Sequence, residues 1–315
     1  MNTAFLFSGQ GSQYPGMMRD LYDEYESARN VFECADKVLG RPVSSLCFEG
    51  TQEDLNLTHN TQCCMLAADL AAGYVLLSKG FHPSAAAGFS LGEYAALVFS
   101  GVISMADAFR VVQLRADAMQ EAVPVGEGAM AALIGTEAET VEELCREAED
   151  GYVIPANYNS PVQTVISGTR AAVDNVMRLA QERNIQAVML PVSAPFHCKL
   201  VEPAARKLEN ALKNIEFSCP RIPVYSNVTA LPVKNTEEIP ALLVRQAMSP
   251  VHWVQLLENM RAAGTDTYVE CGPGKTLWGL VRKTLKNVNV YRTGDIKTLN
   301  QTVQSLRKIN EDTQV

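Results

Sequence analysis

The sequence predicts an α/β protein in which a small ferredoxin-like unit interrupts a larger α/β body. Three observations carry this. Short apolar runs alternate with amphipathic stretches of helical length along most of the 315 residues. Between 126 and 194 the order becomes β-α-β-β-α-β, that of a ferredoxin-like unit. Strand and helix then resume their alternation from Pro195. The expected division is a body of 1–125 and 195–315 with an insertion of 126–194.

The elements follow in order. Thr3-Ala-Phe-Leu-Phe-Ser8 is a short apolar run ending in Gly9-Gln-Gly-Ser12, which reads as a buried strand entering a glycine turn. Residues 17–39 are amphipathic and helical, and Gly40-Arg-Pro42 ends them. Asn60-Thr61 caps an Ala- and Leu-rich helix over 62–77. Ala85–Gly88 is a short strand, 93–99 a helix, and 105–122 a further helix closed by Pro124-Val-Gly126. The insertion reads as strand 129–134, helix 137–149, strands 153–159 and 164–167, helix 171–183 and strand 187–191. Beyond it come helix 200–214, strand 224–227, helices 238–248 and 251–263, and strand 267–271 running into Gly272-Pro-Gly274. The last twelve or so residues are polar and expected to fray.

Composition narrows the function. Hydrophobic residues at 47% and charged residues at 20% fit a soluble globular protein. A net charge of -8 argues against nucleic acid as a partner, because such proteins present a basic face. The first apolar run, Ala4 to Phe7, is too short for a signal-peptide core. No apolar stretch is expected to reach the ~18 residues that span a bilayer. The eight cysteines show no CxxC and no ligand spacing with the four histidines. They read as buried, reduced thiols of a cytoplasmic protein, with no metal site. No sign of oligomerisation is visible, so a monomer is expected.

The chemistry centres on Gly88-Phe-Ser90-Leu-Gly92, a G-x-S-x-G pattern between an expected strand and helix. That setting pushes a serine hydroxyl out at a strand end and points helix N-terminal amides at it. Read blandly, it is a glycine turn with an incidental serine. A nucleophilic serine needs a base. His59 precedes a helix cap, His82 lies in a Phe-His-Pro loop, and His252 follows Pro250-Val251 near a helix start. All three have surface or capping readings. His197, in Ser193-Ala-Pro-Phe-His197, falls where the insertion rejoins the body, and clefts form at such junctions. Elimination favours His197 without excluding the others.

Six motifs now stand in order: Phe7-Ser-Gly-Gln10-Gly-Ser-Gln13, Gly88-Phe-Ser90-Leu-Gly-Glu-Tyr-Ala, Gln113-Leu-Arg115 with Met119-Gln120, Asn157-Tyr-Asn159-Ser-Pro161, Pro195-Phe-His197 and Glu270-Cys-Gly-Pro-Gly274. Together they resemble the malonyl-CoA:acyl carrier protein transacylases of bacterial fatty-acid synthesis and the acyltransferase domains of polyketide synthases. The resemblance runs from residue 3 to about 285. It implies an α/β-hydrolase-like large domain with an inserted ferredoxin-like small domain. It also implies ping-pong transfer of malonyl from malonyl-CoA to the phosphopantetheine thiol of acyl carrier protein, with no cofactor. Ser90 would be the nucleophile and His197 its base, supported by Gln246. The backbone amides of Gln10 and Leu91 would hold the oxyanion. Arg115 would grip the malonyl carboxylate, Phe196 would exclude an α-methyl branch, and Asn159 would line the substrate site.

One departure is Phe89, where the family usually has histidine; this affects the polarity beside the acyl group. Cys63-Cys64 also replaces the usual residues after Thr61-Gln62 and reads as core variation. Among rivals, a plain serine esterase normally has an acidic triad member after the serine and often an HGGG-type oxyanion loop; this chain has no HGGG, and its Gln10-Gly11 loop would take that role. A hydrolase of the same family that clears stalled carrier proteins differs only in using water to resolve the acyl-enzyme. A non-catalytic carrier-binding subunit has no need of Ser90, His197 and Arg115 together. Because the carrier is acidic and so is this chain, a local basic patch is expected from Lys199, Arg206, Lys207, Arg282, Lys283 and Lys286. An ordinary solvated helical face explains the same charges.

Overall fold

The computed structural model describes residues 2–124, 126–192 and 194–313. The chain begins with β1 (Thr3–Phe7), α1 (Arg19–Glu24), α2 (Glu26–Leu39), α3 (Val43–Glu49), α4 (Gln52–Asn56) and α5 (Thr58–Ser78). Next come β2 (Ala85–Gly88), α6 (Gly92–Phe99) and α7 (Met105–Glu121). They are followed by β3 (Gly128–Ile134), α8 (Ala138–Glu147), β4 (Val153–Ser160), β5 (Gln163–Thr169), α9 (Arg170–Glu182) and β6 (Gln186–Met189). The remainder is α10 (Glu202–Leu212), β7 (Val224–Tyr225), α11 (Ile239–Met248), α12 (Trp253–Ala262), β8 (Thr267–Cys271), α13 (Thr276–Thr284), β9 (Asn289–Thr293) and α14 (Ile296–Thr313).

Two sheets result. The order β7-β2-β1-β8-β9 is parallel throughout, and β4-β5-β3-β6 is antiparallel. This is the mixed α/β architecture the sequence predicts. The central strand β1 is buried along its whole length, as a parallel strand covered on both faces must be. Its pleat divides the core: Phe5 and Phe7 join the cluster that includes α2, α5 and α7, while Ala4 and Leu6 join Trp253, Leu257 and Tyr268 on the other face. The antiparallel sheet behaves likewise. Ala131 and Leu133 pack against Val141, Leu144 and Val173 of its own helices, whereas Met130, Ala132 and Val165 face the larger body.

Several details differ from the sequence reading. Residues 17–39 form two helices, because Tyr25 is extended at φ -115° and its N–H closes α1 on Leu21. Helix α5 starts at Thr58, so Asn60 and Thr61 lie inside it; their side chains bond to Asp54, Leu55 and Leu57 carbonyls upstream. At 21 residues, with a mean hydropathy of 1.3 over its most apolar window, α5 is long and apolar enough to cross a membrane. That contradicts the expectation of no such stretch. The window is 83% buried within the protein, and α5 packs between α2, α6 and α7 as a core helix. The polar C-terminal residues do not fray at 304: α14 continues to Thr313, anchored by buried Leu299 and Leu306. Helices α3, α4, α13 and α14 and strand β9 have no counterpart in the sequence reading. Strand β7 is only two residues long, since Ser226 and Asn227 turn away towards the site.

All eight cysteines are free thiols, but Cys219 is exposed and Cys34 and Cys145 are half-buried, so burial holds for the other five only. Val125, in the closing turn at the expected first junction, and Ser193, which opens the histidine motif, lie outside the described residues.

Candidate active site

Strand β2 ends at Gly88 and α6 begins at Gly92, leaving three residues to reverse the chain. Only glycines fit at both ends. A Cβ on Gly88 would lie 1.8 Å from the Gly92 carbonyl carbon, and one on Gly92 would lie 2.2 Å from the Phe7 oxygen. Between them Ser90 takes a left-handed conformation at φ 52°. Non-glycine residues rarely occupy that region, and strain of this kind gathers at functional sites. His197, at φ 59°, shares it.

The two residues meet. His197 Nε2 lies 2.8 Å from Ser90 Oγ, and His197 Nδ1 lies 2.9 Å from the Gln246 carbonyl oxygen. A carbonyl can only accept, so Nδ1 carries the proton and Nε2 is left as acceptor for the serine hydroxyl. The imidazole is neutral: burial, with the Arg115 charge adding, lowers its pKa to about 4. Gln246 thus supports the histidine through its main chain. Its side chain does something else, donating from Nε2 to the Ser90 carbonyl at 2.8 Å and to Glu93 Oε2 at 2.8 Å.

Arg115 is 2% exposed, on the face of α7 turned to the cleft. Ser104 caps that helix, its Oγ accepting the Asp107 N–H at 3.0 Å. The guanidinium donates from Nη1 to Gln62 Oε1 at 2.6 Å and from Nη2 to Ser90 Oγ at 3.1 Å and Gln246 Oε1 at 3.3 Å. Its carbon lies 5.6 Å from the Tyr94 ring centroid. No carboxylate touches it among the described residues, and its Nε–H has no partner. Burial lowers its pKa from the usual value. A desolvated cation with a spare donor, beside a serine, is a site built for an anion.

Ser90, His197 and Arg115 line a cavity of about 180 Å³ between the two sheets. Gln10, Leu91, Asn159 and Phe196 line it too, so every residue that the resemblance assigns to the site reaches this cleft except Gln246, which lies behind it. The backbone N–H groups of Gln10 and Leu91 bond to no other described residue, and Asn159 Oδ1 is likewise unpaired. Phe196 is 8% exposed beside His197. Phe89 meets Trp253 edge-on at 5.3 Å, so where the resembled family usually has histidine this site has an aromatic wall.

The other histidines lie elsewhere. His59 is within α5 on the surface, with Nδ1 3.3 Å from Asp117; His82 is exposed. His252 is half-buried, stacked on Tyr158 at 5.3 Å.

The residue pattern, the elbow and the Ser90–His197–Arg115 geometry coincide with a family match. Residues 4–310 fit the acyl transferase domain model. The chain belongs to the acyl transferase family. Within it, a malonyl CoA-acyl carrier protein transacylase of Bacillus subtilis is 40% identical over 312 residues, covering 98% of each chain. The Escherichia coli protein of the same name is 43% identical over 283 residues, 89% of this chain and 92% of its own. Among solved structures, the Clostridium perfringens transacylase superposes with a TM-score of 0.97 at 38% identity over 100% of both chains. A malonyl-transacylase in complex with a type II PKS acyl-carrier protein reaches 0.94 at 39% identity, over 97% of this chain and 100% of that one.

Sequence reasoning missed three members of the site. Gln62 receives Arg115; Asn227 accepts the Ser90 N–H at Oδ1, 2.6 Å away; and Glu93 accepts from both Gln246 and Asn227. A signal for Glu93 existed. It is the one charged residue in the otherwise apolar segment that follows the serine, and a charge there must be partnered.

Proposed function

We propose that the protein transfers a malonyl group from malonyl-CoA to the phosphopantetheine thiol of acyl carrier protein, through a malonyl ester on Ser90. The observation that carries this is Arg115, a buried guanidinium 3.1 Å from Ser90 Oγ that no carboxylate touches among the described residues. A neutral acyl group would leave that cation unanswered, while the free carboxylate of malonate supplies two acceptors to its fork.

The steps balance on residues at hand. The Ser90 hydroxyl gives its proton to His197 Nε2 as Oγ attacks the thioester carbonyl. The oxyanion is met by the N–H groups of Gln10 and Leu91. As the C–S bond breaks, His197 returns the proton to the coenzyme A thiolate. The carrier's thiol then gives its own proton to His197, attacks the ester, and releases Ser90 as the proton passes back to it. His197 is neutral at pH 7, as a base must be. Gln246 holds it by the main-chain carbonyl, and Phe196 and Asn159 shape the acyl end of the cleft.

For the carrier, the cationic surface is smaller than six residues. Arg206 is paired with Glu202 at 2.8 Å and Lys207 with Glu121 at 2.6 Å. Arg282 lies over Trp278 and Lys199 over Tyr152, both exposed, as are Lys283 and Lys286. Lys283, near the end of α13, and Lys286 just beyond it follow a helix that lines the cleft through Leu277 and Leu280.

The test is intact mass after incubation with malonyl-CoA, followed by carrier protein bearing its phosphopantetheine arm. A malonyl adduct absent in Ser90→Ala and passed to the carrier thiol is the expected result. An adduct lost as free malonate with the carrier unloaded would instead establish the editing hydrolase.

A further inference from the structure

Glu93 lies three residues after the candidate nucleophile, yet the transfer just described gives it no task. Its side chain is 2% exposed. Burying a carboxylate is costly unless donors surround it, and here they do. Oε2 accepts the Gln246 Nε2–H at 2.8 Å and the Asn227 backbone N–H at 3.1 Å. Burial still pushes its carboxyl up to about 7, against the opposing pull of Gln246, Asn227, Ser226 and the Arg115 charge.

Gln246 and Asn227 each have a second duty at the reacting groups. A carboxamide's two ends have nearly the same shape, so on steric grounds Gln246 fits either way round. Chemistry removes the ambiguity: Arg115 can only donate, and Glu93, as the ionised carboxylate, can only accept. Held between them, Gln246 must turn Nε2 to Glu93 and Oε1 to Arg115 Nη2, 3.3 Å away. In that orientation Nε2 also reaches the Ser90 carbonyl, and the Gln246 main-chain carbonyl reaches His197. Asn227 forms the second arm. With its N–H fixed by Glu93, its side chain brackets the elbow, Oδ1 accepting from Ser90 N at 2.6 Å and Nδ2 donating to Gly88 O at 2.7 Å. These bonds span the segment that contains the left-handed Ser90.

We propose that Glu93 is a positioning residue for acylation: one carboxylate oxygen orients the Gln246 carboxamide and the Asn227 clamp, and so holds Ser90, His197 and Arg115 in register. The inference rests on the transfer reading above for its substrate, but not for its geometry.

The experiment therefore measures Ser90 acylation by saturating malonyl-CoA in single turnover and, separately, Ser90 phosphonylation by a fluorophosphonate probe. Glu93→Leu keeps bulk and removes both acceptors. It is expected to slow both reactions about 100-fold at saturation with KM for malonyl-CoA changed less, and to weaken discrimination against acetyl-CoA. Glu93→Gln presents an acceptor at the same reach and is expected to stay within about threefold of the wild type. Because Glu93 acts through Gln246, the double variant Glu93→Leu/Gln246→Leu should be no slower than the worse single one. Wild-type rates in folded Glu93→Leu, or fully additive losses in the double variant, overturn the proposal. Should Glu93→Leu not fold, Glu93→Asp decides. It keeps the charge but withdraws it by a methylene, and an about tenfold loss in Asp with none in Gln supports positioning. Equal rates for both, or a larger loss in Gln, overturn it. If the wild type reacts with the fluorophosphonate but takes no malonyl group, the transfer reading fails, and the probe rates of the variants still decide the role of Glu93.

Discussion

Arg115 Nη2 lies 3.1 Å from Ser90 Oγ, so the buried cation of the cleft touches the candidate nucleophile before any substrate arrives. The same guanidinium is held by Gln62 and Gln246, which pre-positions it at no entropic cost to binding. Replacing it by methionine, which has similar reach and no charge, should lower malonyl-CoA acylation about 100- to 1000-fold, the equivalent of one or two charge-assisted hydrogen bonds. Acetyl-CoA should lose far less. Paired single-turnover measurements with the two thioesters check this; an equal loss for both would remove Arg115 from acyl recognition.

On the proposed transfer, His197 should set the acid limb of the pH profile. Burial and Arg115 hold its folded pKa at about 4, against about 6.5 in the unfolded chain. The neutral imidazole persists through pH 5, so acylation should stay level down to that point and fall as pH drops through about 4. Stability follows the same sign. A depressed histidine pKa contributes stability above pH 6.5 that is lost as pH falls towards 4, because the unfolded chain takes up the proton first. In His197→Gln that part of the acid dependence should disappear, which chemical denaturation at pH 7 and pH 4.5 measures.

Asp69 is fully buried on α5, and among the described residues only the Ser8 backbone N–H offers its carboxyl any support, too poorly aligned to count as a full hydrogen bond. It abuts Gly272, where a Cβ would come within 2.0 Å of Oδ1. Burial, with the Glu270 charge adding, raises its pKa well above the ordinary carboxylate range. A raised carboxyl pKa has the opposite sign to the histidine. Its contribution is complete below about pH 4 and is lost as pH rises towards the folded pKa. Asp69→Asn is neutral at every pH, so it should be more stable than the wild type at pH 8 by on the order of 1–3 kcal/mol. Urea melts at pH 5 and pH 8 would show whether the gap opens with pH.

Gly88→Ala tests the elbow. Its Cβ would have to occupy space within 1.8 Å of main chain, which no side-chain rearrangement relieves. Destabilisation should exceed about 3 kcal/mol, the upper end for ordinary overpacking. Gly126→Ala is the contrast: its added Cβ meets nothing within 4 Å, and only its φ of 92° opposes the change. A thermal melt in which Gly88→Ala lost no more than Gly126→Ala would refute the packing argument.

Reversing Lys283 and Lys286 to glutamate should raise KM for acyl carrier protein severalfold and leave malonyl-CoA acylation alone. The effect should shrink as salt rises, because exposed charges are screened over about 10 Å at 0.1 M. Unchanged carrier kinetics at low salt would return this helix end to an ordinary solvated face.

Much of the site was legible because its chemistry needs residue types that sequence displays directly. Gly88, Ser90 and Gly92 announce a sharp turn by their spacing, and the apolar runs of β1 and β2 announce a buried strand and a short strand; that they pair in parallel came from the structure. The ferredoxin-like insertion was readable because each of its elements is long enough to show its own period. What escaped has a physical cause in each case. Helix α14 ends in polar residues, and what orders it is the burial of Leu299 and Leu306 against elements far away in sequence. Helix α5 was legible as an Ala- and Leu-rich core helix; what escaped is its start at Thr58, four residues earlier, which makes it long and apolar enough to match a membrane span.

Sequence alone displayed the candidates for the chemistry: one serine in an elbow, four histidines to choose from, and an arginine in a recognisable motif. Only the tertiary structure decided how they are held. It brought His197 across 107 positions to Ser90, and it passed the support of Gln246 through a main-chain carbonyl, which carries no residue identity. It also tied Glu93 and Asn227, 134 positions apart, to the same elbow. Hydrogen bonds between distant segments depend on where the backbone places each donor and acceptor, and a one-dimensional pattern of residue types does not contain that placement.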